Sequence, residues 1–342
     1  MKPQRERRIH TQALSWRIIL VVLLAALVIF FLGERKNFGW QQYLQLSLDG
    51  LRGGTIYALI ALGFVTIYNI TGVINFAQGG FAMLGAMLAI TVNEWSPLAT
   101  WPPSVRLFVA ALVAIAITTI VGMLIERLTI APARDADPLT HIIITVGVYL
   151  VIQGVALLIW GTQPYALPAF TTLAQRDATL RLGSIIIKGQ SFWIWGTTFV
   201  TMVMLYWFFE QTMPGRALRA CAVNRTAARL MGISPSRMSL FAFALAAALG
   251  ALGGIVLAPA TRPTYDMGLA LGLKGFVAAT MGGMTNPGAA VVGGLLLGSI
   301  ENIGAGVTRA GLKDIFSFII LIWVLLFRPH GLFGRPQSIE KV

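Results

Sequence analysis

Cysteine and charged residues are both scarce in this sequence. Cys221 is the single cysteine, so no disulfide can form within the chain, and a disulfide-stapled secreted fold is excluded. Only 11% of the residues are charged, where roughly 25% is usual for a soluble domain, whereas 56% of the 342 residues are hydrophobic. Because this leaves too little polar surface to cover a soluble globule, the composition predicts a polytopic membrane protein.

Acidic residues are scarcer than basic ones, with 13 Asp and Glu against 26 Lys and Arg and a net charge of +13. Nucleic-acid-binding proteins also carry such a charge, but here the basic residues flank apolar runs. Cytoplasmic loops of membrane proteins carry this excess because basic residues resist translocation. We therefore expect no nucleic-acid partner. Two clusters are placed in the cytoplasm: Lys2, Arg5, Arg7, Arg8 and Arg17, and then Arg216, Arg219, Arg225, Arg229 and Arg237.

Several motifs of catalytic sites are missing. No lysine follows a glycine, so the chain has no P-loop for ATP. The histidines His10, His141 and His330 are isolated from one another and no H-E-x-x-H occurs, which argues against a zinc site. A G-x-S-x-G nucleophile motif is absent as well. We therefore expect that this chain is not an enzyme and itself binds no cofactor or metal.

Ten apolar runs are long enough, or nearly so, to cross a membrane. Residues 16–32 follow the basic tail without a small-x-small cleavage site, so we expect an uncleaved helix there. Residues 269–284 are few and include Lys274, which favours a re-entrant or broken helix. The other runs are residues 53–70, 74–92, 107–125, 139–160, 192–209, 240–258, 289–304 and 315–327. The sequence thus predicts an all-α polytopic membrane protein of about ten helices, with both termini in the cytoplasm.

Two polar segments separate the predicted spans. In residues 161–191, on the predicted outer side, residues 178–182 and 185–188 flank Gly183 and Ser184, which predicts a small β-hairpin. Residues 211–238, on the predicted inner side, contain five arginines and no acid. Their composition allows a helix over residues 216–231 that stops at Gly232 and Pro235.

Polar residues within the apolar runs are candidates for a solute pathway. Ionisable residues there are few and lie near span ends, which disfavours a proton- or sodium-coupled carrier. Lys274 has the alternative of snorkelling to the interface, and Glu301 of facing an outer vestibule. Asn75 and Gln78 either line the pathway or bond between helices, because an unsatisfied amide in an apolar span is costly. The candidate pathway residues are therefore Asn75, Gln78, Lys274 and Glu301.

Several stretches of the sequence form a recognisable pattern, in order along the chain. Its N-terminal part consists of GTIYALIALG at residues 54–63 and GVINFAQG at residues 72–79. The remaining stretches are GRALRA at 215–220 with MGI at 231–233, the glycine-rich segment 282–294, and RPHGLFG at 328–334. Together they resemble the permease subunits of branched-chain amino acid ABC transporters. Two features depart from this pattern: residues 1–40 are additional to many relatives, and Gln78-Gly79 stands where many have His and often an acid.

The resemblance implies a bacterial inner-membrane importer subunit without an ATPase site of its own. It implies four kinds of partner: a second permease that is homologous or identical, two cytoplasmic ATPases that bind ATP and Mg, a periplasmic binding protein and membrane lipid. It also implies the division of the chain into a basic tail with an additional helix (residues 1–40), a permease domain (residues 41–336) and a cytoplasmic tail (residues 337–342).

The resemblance further implies a short coupling helix on which an ATPase docks. Thr226-Ala227-Ala228-x-x-x-Gly232 keeps the spacing of the E-A-A-x-x-x-G motif of ABC permeases, with Thr226 in place of Glu. We expect Ala227 and Ala228 to form a small face that enters an ATPase cleft. Leu230, Met231 and Ile233 would then be apolar anchors. The candidate coupling residues are Arg225, Thr226, Ala227, Ala228, Arg229, Leu230, Met231, Gly232 and Ile233; the alternative is a solvated loop held by lipid phosphates.

Two other functions remain open. The same role could serve urea, a short amide or another small polar solute. A different class is an autonomous secondary transporter, which would move solute alone on an ion gradient.

Overall fold

The computed structural model describes residues 33–134, 136–171 and 179–334, and the predicted first span at 16–32 and the predicted tail at 337–342 lie outside them. In order, the α-helices of these residues are α1 (Trp40–Thr71), α2 (Gln78–Asn93), α3 (Pro103–Ile125), α4 (Pro138–Trp160), α5 (Gly189–Gln211), α6 (Met213–Val223), α7 (Arg225–Leu230), α8 (Pro235–Leu257), α9 (Met267–Gly282), α10 (Pro287–Val307) and α11 (Lys313–Phe327). A hairpin of β1 (Thr179–Leu182) and β2 (Ile185–Lys188) precedes α5.

Seven helices of the described residues are long and apolar enough to cross a membrane, namely α1, α3, α4, α5, α8, α10 and α11 with their flanking turns. The shorter apolar helices α2 and α9 have 16 residues each. The all-α polytopic membrane fold is therefore confirmed, and the number of about ten crossings stays a prediction.

Helix α1 forms the centre of the bundle, with most of its residues from Gly54 onward buried. It packs closely against α10 because glycines face each other across the contact. A Cβ atom on Gly54 would collide with the backbone of Gly294, and one on Gly298 would collide with that of Gly54. This close approach is the packing that small residues allow between membrane helices.

The two short helices meet near their N-termini inside the bundle. A Cβ atom on Gly79 of α2 would collide with the backbone of Gly268 and Gly272 of α9. The predicted span at 74–92 was wrong at its start, because the helix begins at Gln78. Asn75 accepts a hydrogen bond from the Ala77 amide through its own side chain, and this local bond competes with helix formation.

The predicted hairpin is confirmed by antiparallel pairing of β1 with β2, in which Leu182 lies opposite Ile185. Gly183 has a φ of 64°, the left-handed conformation that such a tight turn requires. Gln45 of α1 holds the hairpin in place, since its amide accepts from the Ile186 amide at 2.8 Å and donates to the Ile186 carbonyl at 2.9 Å.

The hairpin and the α6–α7 segment lie at opposite ends of the molecule. Helix α5 joins them and has 23 residues, which is about 34 Å of helix. These ends are called the hairpin end and the α7 end below.

Candidate functional site

A cavity of about 1110 Å³ opens at the α7 end between α1, α5, α6 and α10. Its apolar wall includes Leu62, Met202 and Val291, and its polar wall includes Thr66, Asn69 and Asn286. Met202 lies nine residues before the end of α5, so the cavity extends about 14 Å along that helix. These six side chains therefore combine an aliphatic surface with uncharged hydrogen-bonding groups.

Three charged residues contribute to the mouth of the cavity: Glu210, Arg219 and Arg225. The Arg219 guanidinium donates to both carboxylate oxygens of Glu210, with the bond to Oε2 at 3.0 Å. Among the described residues, no carboxylate lies within ion-pair distance of Arg225. The mouth thus holds one neutralised pair and one further cation.

The last turn of α1 connects the cavity to two other segments. Asn69 donates through Nδ2 to the Thr285 carbonyl at 3.2 Å, in the connection between α9 and α10. Arg225 donates through Nε to the Ile70 carbonyl at 2.9 Å, which joins α1 to α7. Gly72 then ends α1 with a φ of 71°.

The predicted continuous helix over residues 216–231 was wrong, because α6 and α7 are separate helices. Asn224 interrupts them with a φ of −155°, and its side chain caps α7 by accepting from the Ala227 amide at 2.9 Å. At the other end, Gly232 has a φ of 80° and Ile233 donates to the Ala228 carbonyl, as in a Schellman cap. The stop at Gly232 is thus confirmed, whereas Pro235 begins α8 instead of ending a helix.

The two faces of α7 differ from the expected arrangement. Ala228 is only 4% exposed and belongs to an apolar cluster with Ile70, Leu218 and Met238. The expectation that Ala228 is part of a small outward face was therefore wrong, because this alanine packs α7 against other helices of the same chain. Leu230 and Met231, by contrast, are 84% and 82% exposed.

The remaining candidate coupling residues are either exposed or packed against other helices of the same chain. Arg225, Thr226, Ala227, Arg229 and Gly232 are exposed, while Ile233 is partly buried and packs against the apolar cluster around Ala228. The outward surface of the segment is thus an aliphatic pair, Leu230 and Met231, beside an arginine.

Asn75 and Gln78 are fully buried and do not line the cavity. Gln78 donates through Nε2 to the Ala246 carbonyl of α8 at 2.9 Å, so this amide bonds between helices. Its Oε1 atom and the Asn75 Nδ2 atom have no hydrogen-bond partner among the described residues.

Lys274 and Glu301 form a buried ion pair away from the cavity. The Lys274 ammonium lies 2.6 Å from Glu301 Oε1 and 2.7 Å from Asp314 Oδ1, so it bridges α9, α10 and α11. The Tyr57 hydroxyl of α1 donates to the same Glu301 oxygen at 3.4 Å. Since the Glu301 side chain is wholly shielded from solvent, the alternative that it faces an outer vestibule was wrong.

The cavity residues Asn69, Met202 and Asn286 were missed by sequence reasoning. Asn69 precedes the helix-ending Gly72, and Asn286 precedes Pro287 at the start of α10, so both carry the signal of a helix end. Met202 carries no signal that separates it from its lipid-facing neighbours, because all are apolar.

A family model described as "Branched-chain amino acid transport system / permease component" matches residues 46–325 of the chain. The chain belongs to this permease family. The matched region includes every residue that lines the cavity, together with α7. The resemblance seen in the sequence motifs is confirmed, and the chain is a multi-pass membrane protein of this family.

Two curated relatives have similar overall length. The high-affinity branched-chain amino acid transport system permease protein BraD of Pseudomonas aeruginosa is 34% identical over 304 residues, covering 88% of this chain and 98% of BraD. The corresponding LivH of Escherichia coli is 33% identical over 302 residues, with the same coverage. A more distant relative, the ribose import permease protein RbsC of Escherichia coli, is 24% identical over 286 residues. Permeases named for different solutes are thus similar to this chain.

Proposed function

We propose that this chain is the membrane permease subunit of an ABC importer for branched-chain amino acids in a bacterial inner membrane. The names of BraD and LivH support the class of solute, and the family match over residues 46–325 supports the role. In this proposal two ATPase subunits bind ATP and Mg, a periplasmic protein delivers the solute, and a second permease completes the pathway.

The α7 end faces the cytoplasm in this proposal. Five arginines and no acid occur in the segment from Gln211 to Met238, and basic loops are retained on the cytoplasmic side. The hairpin then faces the periplasm, where the binding protein docks.

The exposed aliphatic pair on α7 is the observation that carries the docking proposal. Leu230 and Met231 are more than four-fifths exposed at the end of a short capped helix, within a basic surface. Burial of these two side chains in a partner would be favourable by roughly 1.5–3 kcal/mol each. The partner surface would accordingly be an apolar pocket on the ATPase with acidic residues around it.

The cavity forms the cytoplasmic section of the solute pathway in this proposal. Its aliphatic wall at Leu62, Met202 and Val291 suits a branched apolar side chain, and Thr66 and Asn69 supply hydrogen-bonding groups for the polar part of an amino acid. In this proposal the ATPases shift the permease between two conformations. They can do so only because they make different contacts with the permease in each conformation.

The docking proposal is tested by co-purifying the ATPase with permease variants. Leu230→Asp and Met231→Asp would place an unpaired carboxylate in an apolar pocket, at a cost of roughly 3–5 kcal/mol. We expect recovery of the ATPase to fall at least about tenfold, with normal amounts of permease in the membrane.

Leu312→Asp is the matched control, since Leu312 is also exposed but lies at the hairpin end. It should recover the ATPase like the unmodified chain. Full recovery with both α7 variants would place ATPase docking on another surface.

A further inference from the structure

Arg225 begins the proposed docking helix but makes its hydrogen bond to the permease itself. Its Nε donates to the Ile70 carbonyl at 2.9 Å, in a partly buried bond that joins residues 155 positions apart in the chain. Leu230, the last residue of the same short helix, and Met231, its C-cap, are exposed. The segment α7 therefore has one side available to a partner and the other attached to α1.

The Ile70 carbonyl is placed where a hydrogen bond from a cation is favourable. It lies in the last turn of a 32-residue helix, where the carbonyl groups have no partner further along the helix. The same turn carries the negative end of the helix dipole, so a guanidinium is favoured there. Arg225 thus serves as a C-terminal cap for α1 that is supplied by a different element.

Apolar packing holds the same two elements together. Ile70 of α1 and Ala228 of α7 belong to one buried cluster that also includes Leu218 and Met238. The contact between α1 and α7 therefore consists of a hydrogen bond beside a buried apolar cluster. Because both join α7 to the last turn of α1, a displacement of α7 would also move that turn.

That last turn forms part of the cavity wall. Residues from Tyr68 to Gly72 line the cavity, and Arg225 lines it as well. Asn69 extends the connection to the start of α10 through its 3.2 Å bond to the Thr285 carbonyl. A continuous set of contacts thus leads from α7 to two sides of the cavity.

We propose that Arg225 is a positioning residue that couples movement of α7 to the α1 wall of the cavity. This inference rests on the proposed function, because it needs an ATPase on the outward face of α7. Arg225 itself does not contact the ATPase in this proposal; it keeps the last turn of α1 moving with the docked helix. Its loss would leave docking intact and separate ATP hydrolysis from opening of the cavity.

The test is the number of solute molecules imported per ATP hydrolysed, measured on the reconstituted importer. Arg225→Ala should lower this ratio roughly tenfold, a change equivalent to about 1.4 kcal/mol. Arg225→Met retains the apolar stem and should have the same effect, whereas Arg225→Lys retains a cation near the carbonyl and should recover most of the ratio. ATPase co-purification should be unchanged in all three variants.

Arg237→Ala is the matched control, because Arg237 is an exposed arginine in the first turn of α8, near α7 in the chain, and is not part of the cavity lining. It should import with the ratio of the unmodified chain. An unchanged ratio in Arg225→Ala and Arg225→Met would overturn the proposal, as would loss of ATPase binding or of the permease itself in both. If instead the unmodified importer shows no ATP-driven uptake, the proposed function itself is wrong, and the role of Arg225 that rests on it is wrong with it.

Discussion

Glu301 is the one charged residue of α10, with its carboxylate shielded from solvent and 2.6 Å from the Lys274 ammonium. A buried carboxylate is tolerated only when it is paired, because its transfer from water is costly. The pairing of Lys274 with both Glu301 and Asp314 links three helices at one point. This geometry favours a structural role for two residues that sequence reasoning took as pathway candidates.

Removal of one partner should therefore destabilise the bundle. Glu301→Met leaves the Lys274 ammonium with only its partner on α11, Asp314, and we expect a loss of roughly 1–3 kcal/mol in the free energy of unfolding. The double variant Lys274→Met with Glu301→Met removes both buried charges and should recover most of that loss. Thermal unfolding of the purified permease in detergent measures both effects.

Transport by the same variants separates structure from pathway. If the double variant is as stable as the unmodified chain and imports solute normally, the pair is structural. If Glu301→Met is fully stable but transports nothing, Glu301 belongs to the pathway and our interpretation is wrong.

At the scale of elements, the apolar runs predict where helices occur, and local side-chain bonds decide where they begin. The run at 74–92 starts its helix only at Gln78, because Gly72 and Asn75 hold the preceding residues out of the helix. Similarly, the basic segment reads as one helix, but Asn224 divides it into α6 and α7. Composition therefore predicts where helices occur, but it does not predict the residues at which they begin or are interrupted.

The candidate site was only partly accessible to sequence reasoning. The position of α7 and its stop at Gly232 follow from the motif spacing, and the structure places a glycine-dependent cap there. Which face of α7 points outward depends on where Ile70 and Met238 lie, and this is set by contacts far apart in the chain. The cavity is likewise formed by α1, α5 and α10 together, so no single segment reveals it.

Cysteine labelling tests whether the cavity is an aqueous path that opens at the α7 end. In a Cys221→Ala background, Met202→Cys should react with a charged, membrane-impermeant thiol reagent applied from the cytoplasmic side. Val200→Cys should not react, because Val200 is exposed on α5 outside the cavity lining and faces lipid in this account. Burial raises the pKa of the native Cys221 thiol, so this residue reacts slowly in any case.

The sidedness of the same reagent tests the orientation. Ser184→Cys, in the turn of the hairpin, should react only from the periplasmic side. Reaction of Met202→Cys from that side alone would reverse the topology, and equal reaction of Val200→Cys and Met202→Cys would remove the evidence for an aqueous path.

For the whole molecule, the central claim is that this permease moves solute only as part of an ATP-driven assembly. Three observations are consistent with a subunit whose conformation is changed by a partner bound at α7. They are the family match, the exposed pair Leu230 and Met231, and the link from α7 to the cavity. An autonomous secondary transporter would need no partner at α7.

Uptake of radiolabelled leucine into proteoliposomes is the measurement that decides between these accounts. We predict uptake when the chain is reconstituted with its second permease, the ATPases, the loaded binding protein and ATP, and none when ATP is omitted. The chain reconstituted alone should show no uptake under an imposed proton or sodium gradient. Gradient-driven uptake by the chain alone would contradict the account.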